Sequence, residues 1–280
     1  VNADIALYEA KRRGRNRVER FNDYLRARTI NTKHTADAIL RSLGDEDFIA
    51  WFQPQFDAHT LKINGVEALA RWRHPQRGIL APIAFLEIAE NLNVVAQIDA
   101  SILDQSLHEL SRWQAEGLGI EHVSVNISAQ RLFEDKLLDH LAKLKVTPGS
   151  LSFELLESIS FDDKADAVAE SLKRISSHGI AIEIDDFGTG YASILSLLKL
   201  SPSRLKIDRQ LVAPIVSNPA QRKLISSIVD IGRSFSIGIV AEGVETMEHA
   251  AILRDLGCNT LQGYALARPM APNAFIDFAR

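Results

Sequence analysis

Acidic, amide and lysine side chains recur at the ends of short apolar segments along this chain. Seven segments show the pattern, at residues 65–72, 123–128, 151–158, 181–190, 203–208, 239–245 and 260–266. Burying a carboxylate, an amide or an ammonium group among apolar residues is costly unless the group is paired or bound to a metal. Because the segments are spaced about one helix apart, they predict a single polar site built from the ends of several strands, as in an enzyme.

The oxygen-bearing side chains in these segments suit a hard cation. Mg²⁺ and Mn²⁺ bind carboxylate and amide oxygens and usually retain waters. The residues that would converge at neighbouring strand ends to hold a first ion are Glu67, Asn126, Glu154 and Asp185.

A second ion would be held by Asp186 and Glu242, with Asp185 bridging the two ions. Two metals roughly 3.5–4 Å apart are a common device for cleaving phosphoesters, because they stabilise the attacking and the leaving oxygens together. Lys206, from the next strand, would orient the attacking water or neutralise a phosphate.

The sequence lacks the motifs of several other common catalytic and binding sites. No Cys/His cluster has zinc spacing, the GTGYAS segment lacks the P-loop lysine, and GIGIVAEG does not open a helix as a dinucleotide fingerprint should. A lone glutamate in a strand is more often a paired structural charge, and DDFGTG alone would suit a turn with a helix cap. Six such positions in one register favour a site.

The composition of the chain limits the classes of partner that it is expected to bind. The chain has 280 residues, 32 Lys plus Arg, 36 Asp plus Glu and a formal charge of -4, which disfavours nucleic-acid polymers and membrane surfaces. The single Cys258 cannot form an internal disulfide, which fits a reducing compartment such as the cytoplasm. The sequence contains no run of 18 apolar residues, so we expect no membrane contact by this segment. An upstream region could still attach a longer protein to a membrane.

Strand-like and helical segments alternate from residue 48 onward. Eight strand candidates, including 48–56, are separated by helical stretches at 82–91, 99–116, 131–144, 162–178, 219–235, 247–256 and 273–280. Such alternation implies parallel strands with right-handed crossovers. The pattern predicts an α/β fold, a (β/α)8 TIM-like barrel, whose site lies at the carboxyl ends of the strands.

Alternation within a strand predicts which side chains face inward. Glu67 and Leu69 share a face, as do Ser152 and Glu154. Asp185 and Asp186 would point in opposite directions if their strand continued, so we expect the strand to end there.

These motifs resemble the EAL family of cyclic di-GMP phosphodiesterases. The triplet Glu67-Ala68-Leu69 is followed in the family's order by VNIS, FELLES, DDFGTG, LKID, AEGVE and QGY, over residues 48–280. The resemblance implies a barrel whose first strand is antiparallel and hydrolysis of one phosphodiester bond of cyclic di-GMP to give linear pGpG. It also implies one or two Mg²⁺ or Mn²⁺ ions, inhibition by Ca²⁺, and a homodimer. The alternative function is a non-catalytic cyclic di-GMP receptor that uses the same pocket.

The resemblance also assigns roles by position. Glu67, Asn126, Glu154 and Asp185 look like ligands of one metal, and Asp185, Asp186 and Glu242 like those of the other. The catalytic set would be Lys206, which holds the attacking water, with Glu242 and Glu67. Substrate contacts would come from Gln53, Leu69, Arg71, Asn126, Asp208, Gln262 and Pro269, and support of the adjoining loops from Glu157 and Glu245.

Three residues depart from the family's pattern. Leu156 and Ala192 replace hydroxyl residues near the DDFGTG loop. Glu183 faces inward where the family has a small residue, and we expect it to pair with Arg204 on the next strand.

The amino-terminal part resembles a different domain. Residues 1–22 are similar to the end of a GGDEF diguanylate cyclase domain, without its signature loop. The expected organisation is therefore this remnant, a helical linker over 23–46, and an EAL domain over 47–280.

Overall fold

A computed structural model of the chain describes residues 20–144, 146–157, 165–190 and 199–280, with the isolated residues 3, 7, 10, 11, 14, 16, 18 and 197. The chain divides into two compact units. The first comprises Val1–Phe48 and Arg71–Val95, and the second Ile49–Ala70 and Ala96–Arg280. Most of the predicted GGDEF remnant lies outside the described residues.

The first unit contains the helix expected in the linker. This helix, α1 (Asp23–Gly44), begins where the Asn22 side chain accepts a hydrogen bond from the Leu25 N–H at 2.8 Å. Near the other end of this helix, the indole N–H of Trp72 donates to Ser42 Oγ at 2.9 Å. Ser42 in turn donates to Asp47, so α1 is packed and is more than a bare connector.

Strands and helices alternate through the rest of the chain. The strands are β1 (Phe48–Asp57), β2 (Ile63–His74), β3 (Gly78–Leu80), β4 (Val123–Asn126), β5 (Leu151–Leu156), β6 (Ala181–Phe187), β7 (Arg204–Ile207), β8 (Gly238–Ala241) and β9 (Thr260–Leu261). The helices after α1 are α2 (Leu86–Asn91), α3 (Val95–Ala115), α4 (Ala129–Leu132), α5 (Asp135–Lys143), α6 (Ala165–Ser176), α7 (Arg209–Val212), α8 (Pro219–Phe235), α9 (Met247–Leu256) and α10 (Pro272–Ala279), with a 3-10 turn at Pro82–Ala84.

The strands form the predicted barrel. Their order is β1-β9-β8-β7-β6-β5-β4-β2-β3, and β1 also pairs with β2, which closes eight strands on themselves. Pairing is parallel from β2 through β4 to β9, and β1 is antiparallel to β9, as the resemblance implied. The short β3 pairs only with the end of β2, in the first unit.

The strand sequences explain this closure. Their central residues are apolar and buried, as expected for strands with side chains packed on both faces, and they include Val66, Val123, Val125, Phe153, Ile184 and Leu205. Two predicted helices are interrupted in the structure. Residues 131–144 comprise the end of α4 and the whole of α5, and residues 82–91 comprise the 3-10 turn and α2.

The expected end of β6 at its paired aspartates was wrong. The strand runs on to Phe187, with a register shift between Ile184 and Phe187. Asp186 has φ of 55°, in the left-handed region. A bulge of this kind adds a residue to one strand and re-aims the side chains beside it, so consecutive aspartates reach the same site.

None of the helices in the described residues is long and apolar enough to span a membrane.

Candidate active site

Lys206 lies at the centre of a ring of carboxylates inside the second unit. Its side chain, on β7, is fully buried. Its Nζ lies 2.7 Å from an oxygen of Glu154 and 2.7 Å from one of Glu242. Oxygens of Glu67 and Asp185 lie 3.3 Å away. Four strands and the residue that follows β8 therefore place their charged side chains around one point, as the alternating pattern predicted.

Strand register explains why Glu67, Asn126 and Glu154 meet. Asn126 pairs with Glu154 across β4 and β5, and Glu67 pairs with Ser124 across β2 and β4. The Asn126 amide nitrogen lies 3.2 Å from Glu67 Oε1 and 3.3 Å from Glu154 Oε2. Ser124 donates to the other oxygen of Glu154 at 2.5 Å. The carboxylates of Glu67 and Glu154 are therefore held by hydrogen bonds from side chains on the neighbouring strands.

A second carboxylate group is more open. Asp185, Asp186 and Glu242 each offer an oxygen, and these oxygens lie within 4.8 Å of one another. Buried Asp185 Oδ1 has no hydrogen-bond partner among the described residues, because Lys206 Nζ approaches it without suitable geometry. A crowded set of oxygen ligands with an unsatisfied buried oxygen fits a divalent cation.

Burial and mutual repulsion resist ionisation of several of these acids. Burial, together with Asp185, raises the pKa of Asp186 to about 6. Burial raises the pKa of Glu242 to about 8, although Lys206 opposes the shift. Burial and the Glu67 carboxylate raise the pKa of Glu154 well above its ordinary value. Full ionisation of these acids would therefore place more negative charge in the site than Lys206 alone can balance.

Glu67 and Lys206 keep their charges. Burial opposes ionisation of Glu67, but Lys206 and the hydrogen bond from Gln262 outweigh it and lower the pKa of Glu67. Burial likewise opposes the charge on Lys206, yet the surrounding carboxylates, Asp185 first, raise its pKa well above the ordinary value.

A cavity of about 240 Å³ opens beside this cluster. It is lined by Gln53, Glu67, Leu69, Asp185, Arg209, Glu242, Gly243, Glu245, Gln262, Gly263 and Tyr264. Gly263 is required there, because a Cβ at this position would lie only 2.2 Å from the Val244 nitrogen. Three predicted substrate-contact residues, Gln53, Leu69 and Gln262, thus line the same cavity as the carboxylates predicted to bind metal.

Other predicted residues are placed differently. Asp208 accepts from the Gln210 N–H at 2.8 Å and caps α7. Glu245 pairs with Arg209 at 2.7 Å, at the cavity wall. Pro269 lies beyond β9, outside the cavity lining. Arg71 continues β2 into the first unit.

Glu157 contacts the loop that follows the paired aspartates. Its Oε2 accepts from the backbone N–H groups of Gly188 and Gly190, each at 3.0 Å. Of the two lost hydroxyls near this loop, Leu156 is 42% exposed and Ala192 lies outside the described residues.

The expected partner of Glu183 is present. Arg204 Nη1 lies 3.4 Å from Glu183 Oε1 across β6 and β7. Ser152 also donates to this oxygen, at 2.6 Å. The alternating pattern had predicted that Ser152 faces the barrel interior. Two further residues were not predicted from the sequence: Gln55, which is buried inside the barrel, and Arg209, which lines the cavity.

Known proteins share this sequence and fold. The model of the EAL domain family matches residues 36–269. The bifunctional diguanylate cyclase/cyclic di-GMP phosphodiesterase MucR of Pseudomonas aeruginosa is 37% identical over 274 residues, which cover 96% of this chain and 40% of MucR. The cyclic di-GMP phosphodiesterase NbdA of the same organism is 30% identical and is covered over 36% of its length.

Solved structures agree. The phosphodiesterase PaMucR in complex with c-di-GMP is 36% identical, with a TM-score of 0.81, over 86% of this chain and 99% of that one. The EAL enzyme Bd1971, in its form with cAMP and cyclic-di-GMP bound, is 29% identical with a TM-score of 0.82, over 90% of this chain and 70% of that one.

The chain spans about 40% of the length of MucR, so these relatives contain further sequence. The family match covers most of the present chain, including every strand of the barrel and the whole carboxylate cluster. On this evidence, the chain belongs to the EAL domain family.

Proposed function

We propose that this domain is a metal-dependent phosphodiesterase that hydrolyses cyclic di-GMP to linear pGpG, and so lowers this second messenger in bacterial signalling. The observation that carries the proposal is the cluster of Asp185, Asp186 and Glu242 beside the buried ammonium of Lys206. Family membership and the names of MucR and NbdA support the same substrate.

The carboxylates would hold one or two Mg²⁺ or Mn²⁺ ions. By resemblance, Glu67, Asn126, Glu154 and Asp185 hold one ion, and Asp185, Asp186 and Glu242 hold the other. A divalent cation at such a site neutralises the charge of a phosphate and makes water a better nucleophile. An ion bound to Glu67 and Glu154 would compete with Lys206 for carboxylate oxygens that are now 3.3 and 2.7 Å from Nζ. Ca²⁺, with its longer bonds and looser geometry, is expected to inhibit.

Lys206 would act on the water that attacks phosphorus. Its ammonium group is held in place by carboxylates on neighbouring strands. The hydrolysis adds hydroxide to phosphorus and a proton to the leaving ribose oxygen, so one P–O bond breaks and the ring opens. Glu242 is within 2.7 Å of Lys206 and is the alternative base.

The cavity would receive the substrate. By resemblance, its contacts are made by Gln53, Leu69, Arg71, Asn126, Asp208, Gln262 and Pro269. Three of these line the cavity, and an arginine such as Arg71 suits a phosphate because its N–H groups form two parallel hydrogen bonds.

Regulation would reach the site through its loops. Glu157 contacts the loop after Asp186 through Gly188 and Gly190, and Glu245 contacts Arg209. The family resemblance leads us to propose a homodimer of the EAL domain and a cytoplasmic location. The resemblance of residues 1–22 to the end of a GGDEF domain leads us to propose that such a domain precedes the EAL domain.

Turnover of cyclic di-GMP by the purified chain tests the function. We expect linear pGpG, detected by anion-exchange chromatography, with Mg²⁺ or Mn²⁺, and no product after chelation. Glu67→Gln should reduce turnover by at least about 100-fold, since it removes a charge from a preorganised site. Glu170→Gln, exposed on α6, is the control and should leave turnover unchanged.

Two results would contradict the proposal. Turnover that persists in chelator would exclude the metal-dependent reaction. Tight binding of cyclic di-GMP without turnover in every metal would instead support the receptor function.

A further inference from the structure

Two hydrogen-bond chains cross the barrel interior, and each starts at a buried carboxylate. One starts at Glu67 in the candidate active site, and the other at Glu183 nearer the amino-terminal ends of the strands. Glu67 Oε2 accepts from Gln262, and Glu183 Oε1 accepts from Ser152 and from Arg204 Nη1. These accepting oxygens set the direction of every bond that follows them.

The first chain passes through two glutamines. Gln262 Nε2 donates to Glu67 Oε2 at 2.5 Å and to Gln53 Oε1 at 3.2 Å. The carbonyl of Gln262 therefore faces the other way and accepts from Gln55 Nε2 at 2.9 Å. This leaves the carbonyl oxygen of Gln55 at the far end of the chain, and the Gln55 side chain is fully buried.

The second chain passes through a serine and a histidine. Ser152 uses its hydroxyl proton to donate to Glu183 Oε1 at 2.6 Å. Since Ser152 has no second proton, its contact of 3.0 Å with His122 Nε2 must be a bond donated by the imidazole.

The other imidazole nitrogen is then an acceptor. Burial, with a smaller contribution from Arg204, lowers the pKa of His122 to about 3, so the ring is neutral and carries one proton. With that proton on Nε2, Nδ1 presents a lone pair.

The two chains end facing the same glycine. A Cβ built on Gly65 would lie 3.0 Å from His122 Nδ1 and 3.3 Å from Gln55 Oε1. Neither atom has a hydrogen-bond partner among the residues that the structure describes. Two buried acceptors thus flank one backbone position, and leaving a buried acceptor without a hydrogen bond is unfavourable.

We propose that a buried water molecule sits beside Gly65 and donates one hydrogen bond to Gln55 Oε1 and the other to His122 Nδ1. Water supplies the two donors that neither chain contains. Gly65 keeps the position free of a side chain. A bound cation would also suit two acceptors, but the nearby Arg204 guanidinium disfavours a second positive charge.

The water would join the active-site carboxylate to Glu183. It would hold Gln55 with its amide N–H groups toward Gln262, and Gln262 would then keep its own N–H groups on Glu67.

Nitrogen-15 NMR of the histidine rings tests the bond directions in the full, metal-free chain. We expect His122, identified by loss of its signals in His122→Asn, to be the neutral tautomer with the proton on Nε2. We also expect a magnetisation-transfer peak between a long-lived water and this ring, and a water within hydrogen-bond distance of both acceptors in a high-resolution crystal structure. A proton on Nδ1, or a crystal structure without that water, would overturn the proposal.

Gly65→Ala tests the position of the water. The added methyl group should abolish the water signal and lower the urea midpoint. Ser106→Ala is the matched control, because it removes a buried hydroxyl that donates to the Ile102 carbonyl at 2.6 Å. It should keep both the water signal and the His122 tautomer. If Gly65→Ala retains the water signal, the assigned position is wrong; if it does not fold, the wild-type measurements still decide.

Discussion

Lys206 shows how one residue can both stabilise and prepare a site. A buried ammonium group is tolerated because four carboxylates lie within 3.3 Å of it. The same carboxylates repel one another, as the raised pKa of Glu154 and Glu242 shows. The cluster is therefore stable with Lys206 and still favourable for divalent cations.

Replacing Lys206 tests this balance. Lys206→Met should abolish turnover and lower the free energy of unfolding by about 3–5 kcal/mol without metal, because it leaves buried carboxylates unpaired. Part of this loss should be recovered in Mg²⁺. Urea unfolding with and without Mg²⁺ measures both effects.

Lys199→Met provides the control, since Lys199 pairs with Asp166 at the surface. It should leave turnover and stability nearly unchanged. A Lys206→Met protein as stable as the wild type without metal would show that Lys206 does not hold the carboxylates together.

Among the secondary-structure elements, the helix α3 holds the turn that follows Asn126 at the end of β4. Asp99, near the start of α3, accepts from the Ser128 N–H at 2.9 Å, two residues after Asn126. Burial raises the pKa of Asp99 to about 6, although its hydrogen bonds with Ser128 oppose the shift.

This shift predicts a pH dependence of stability. The folded chain keeps the Asp99 proton at higher pH than the unfolded chain, whose pKa is near 3.8. The contribution of Asp99 is therefore fully present below about pH 4 and is lost as pH rises through about 6, by on the order of 1–3 kcal/mol. Asp99→Asn lacks this titration. The difference in unfolding free energy between the two proteins should change between pH 4 and 7, and a constant difference would contradict the shift.

For the molecule as a whole, the carboxylates that would bind metal come together in the folded barrel and are far apart in the unfolded chain. A cation that binds the folded state and not the unfolded one must raise the midpoint of unfolding. At a metal concentration of 100 times Kd, the stabilisation is about 2.7 kcal/mol.

Thermal unfolding against metal concentration measures this effect. Mg²⁺ or Mn²⁺ should raise the Tm of the wild type, and Asp185→Asn together with Asp186→Asn should remove most of the increase. Asp230→Asn, on the surface of α8, should respond to metal like the wild type. An equal response in all three proteins would place the binding elsewhere.

Local patterns in the sequence were enough to predict the barrel and most of the carboxylate cluster. Polar residues at the ends of apolar strands face one side by a simple alternation, and parallel strands end at the same edge of a sheet, so Glu67, Asn126, Glu154 and Lys206 were predictable. The motifs between Glu67 and Gln262 indicated the family and, through it, the proposed substrate.

Features that depend on contacts between distant residues became visible only in the folded chain. The bulge that brings Asp185 and Asp186 to one site is a departure from regular pairing with β7, which alternation cannot predict. The directions of the hydrogen bonds at Gln55 and His122 follow from partners that lie far away in the chain. Local patterns determine which way a side chain faces, whereas the three-dimensional packing determines what it meets there.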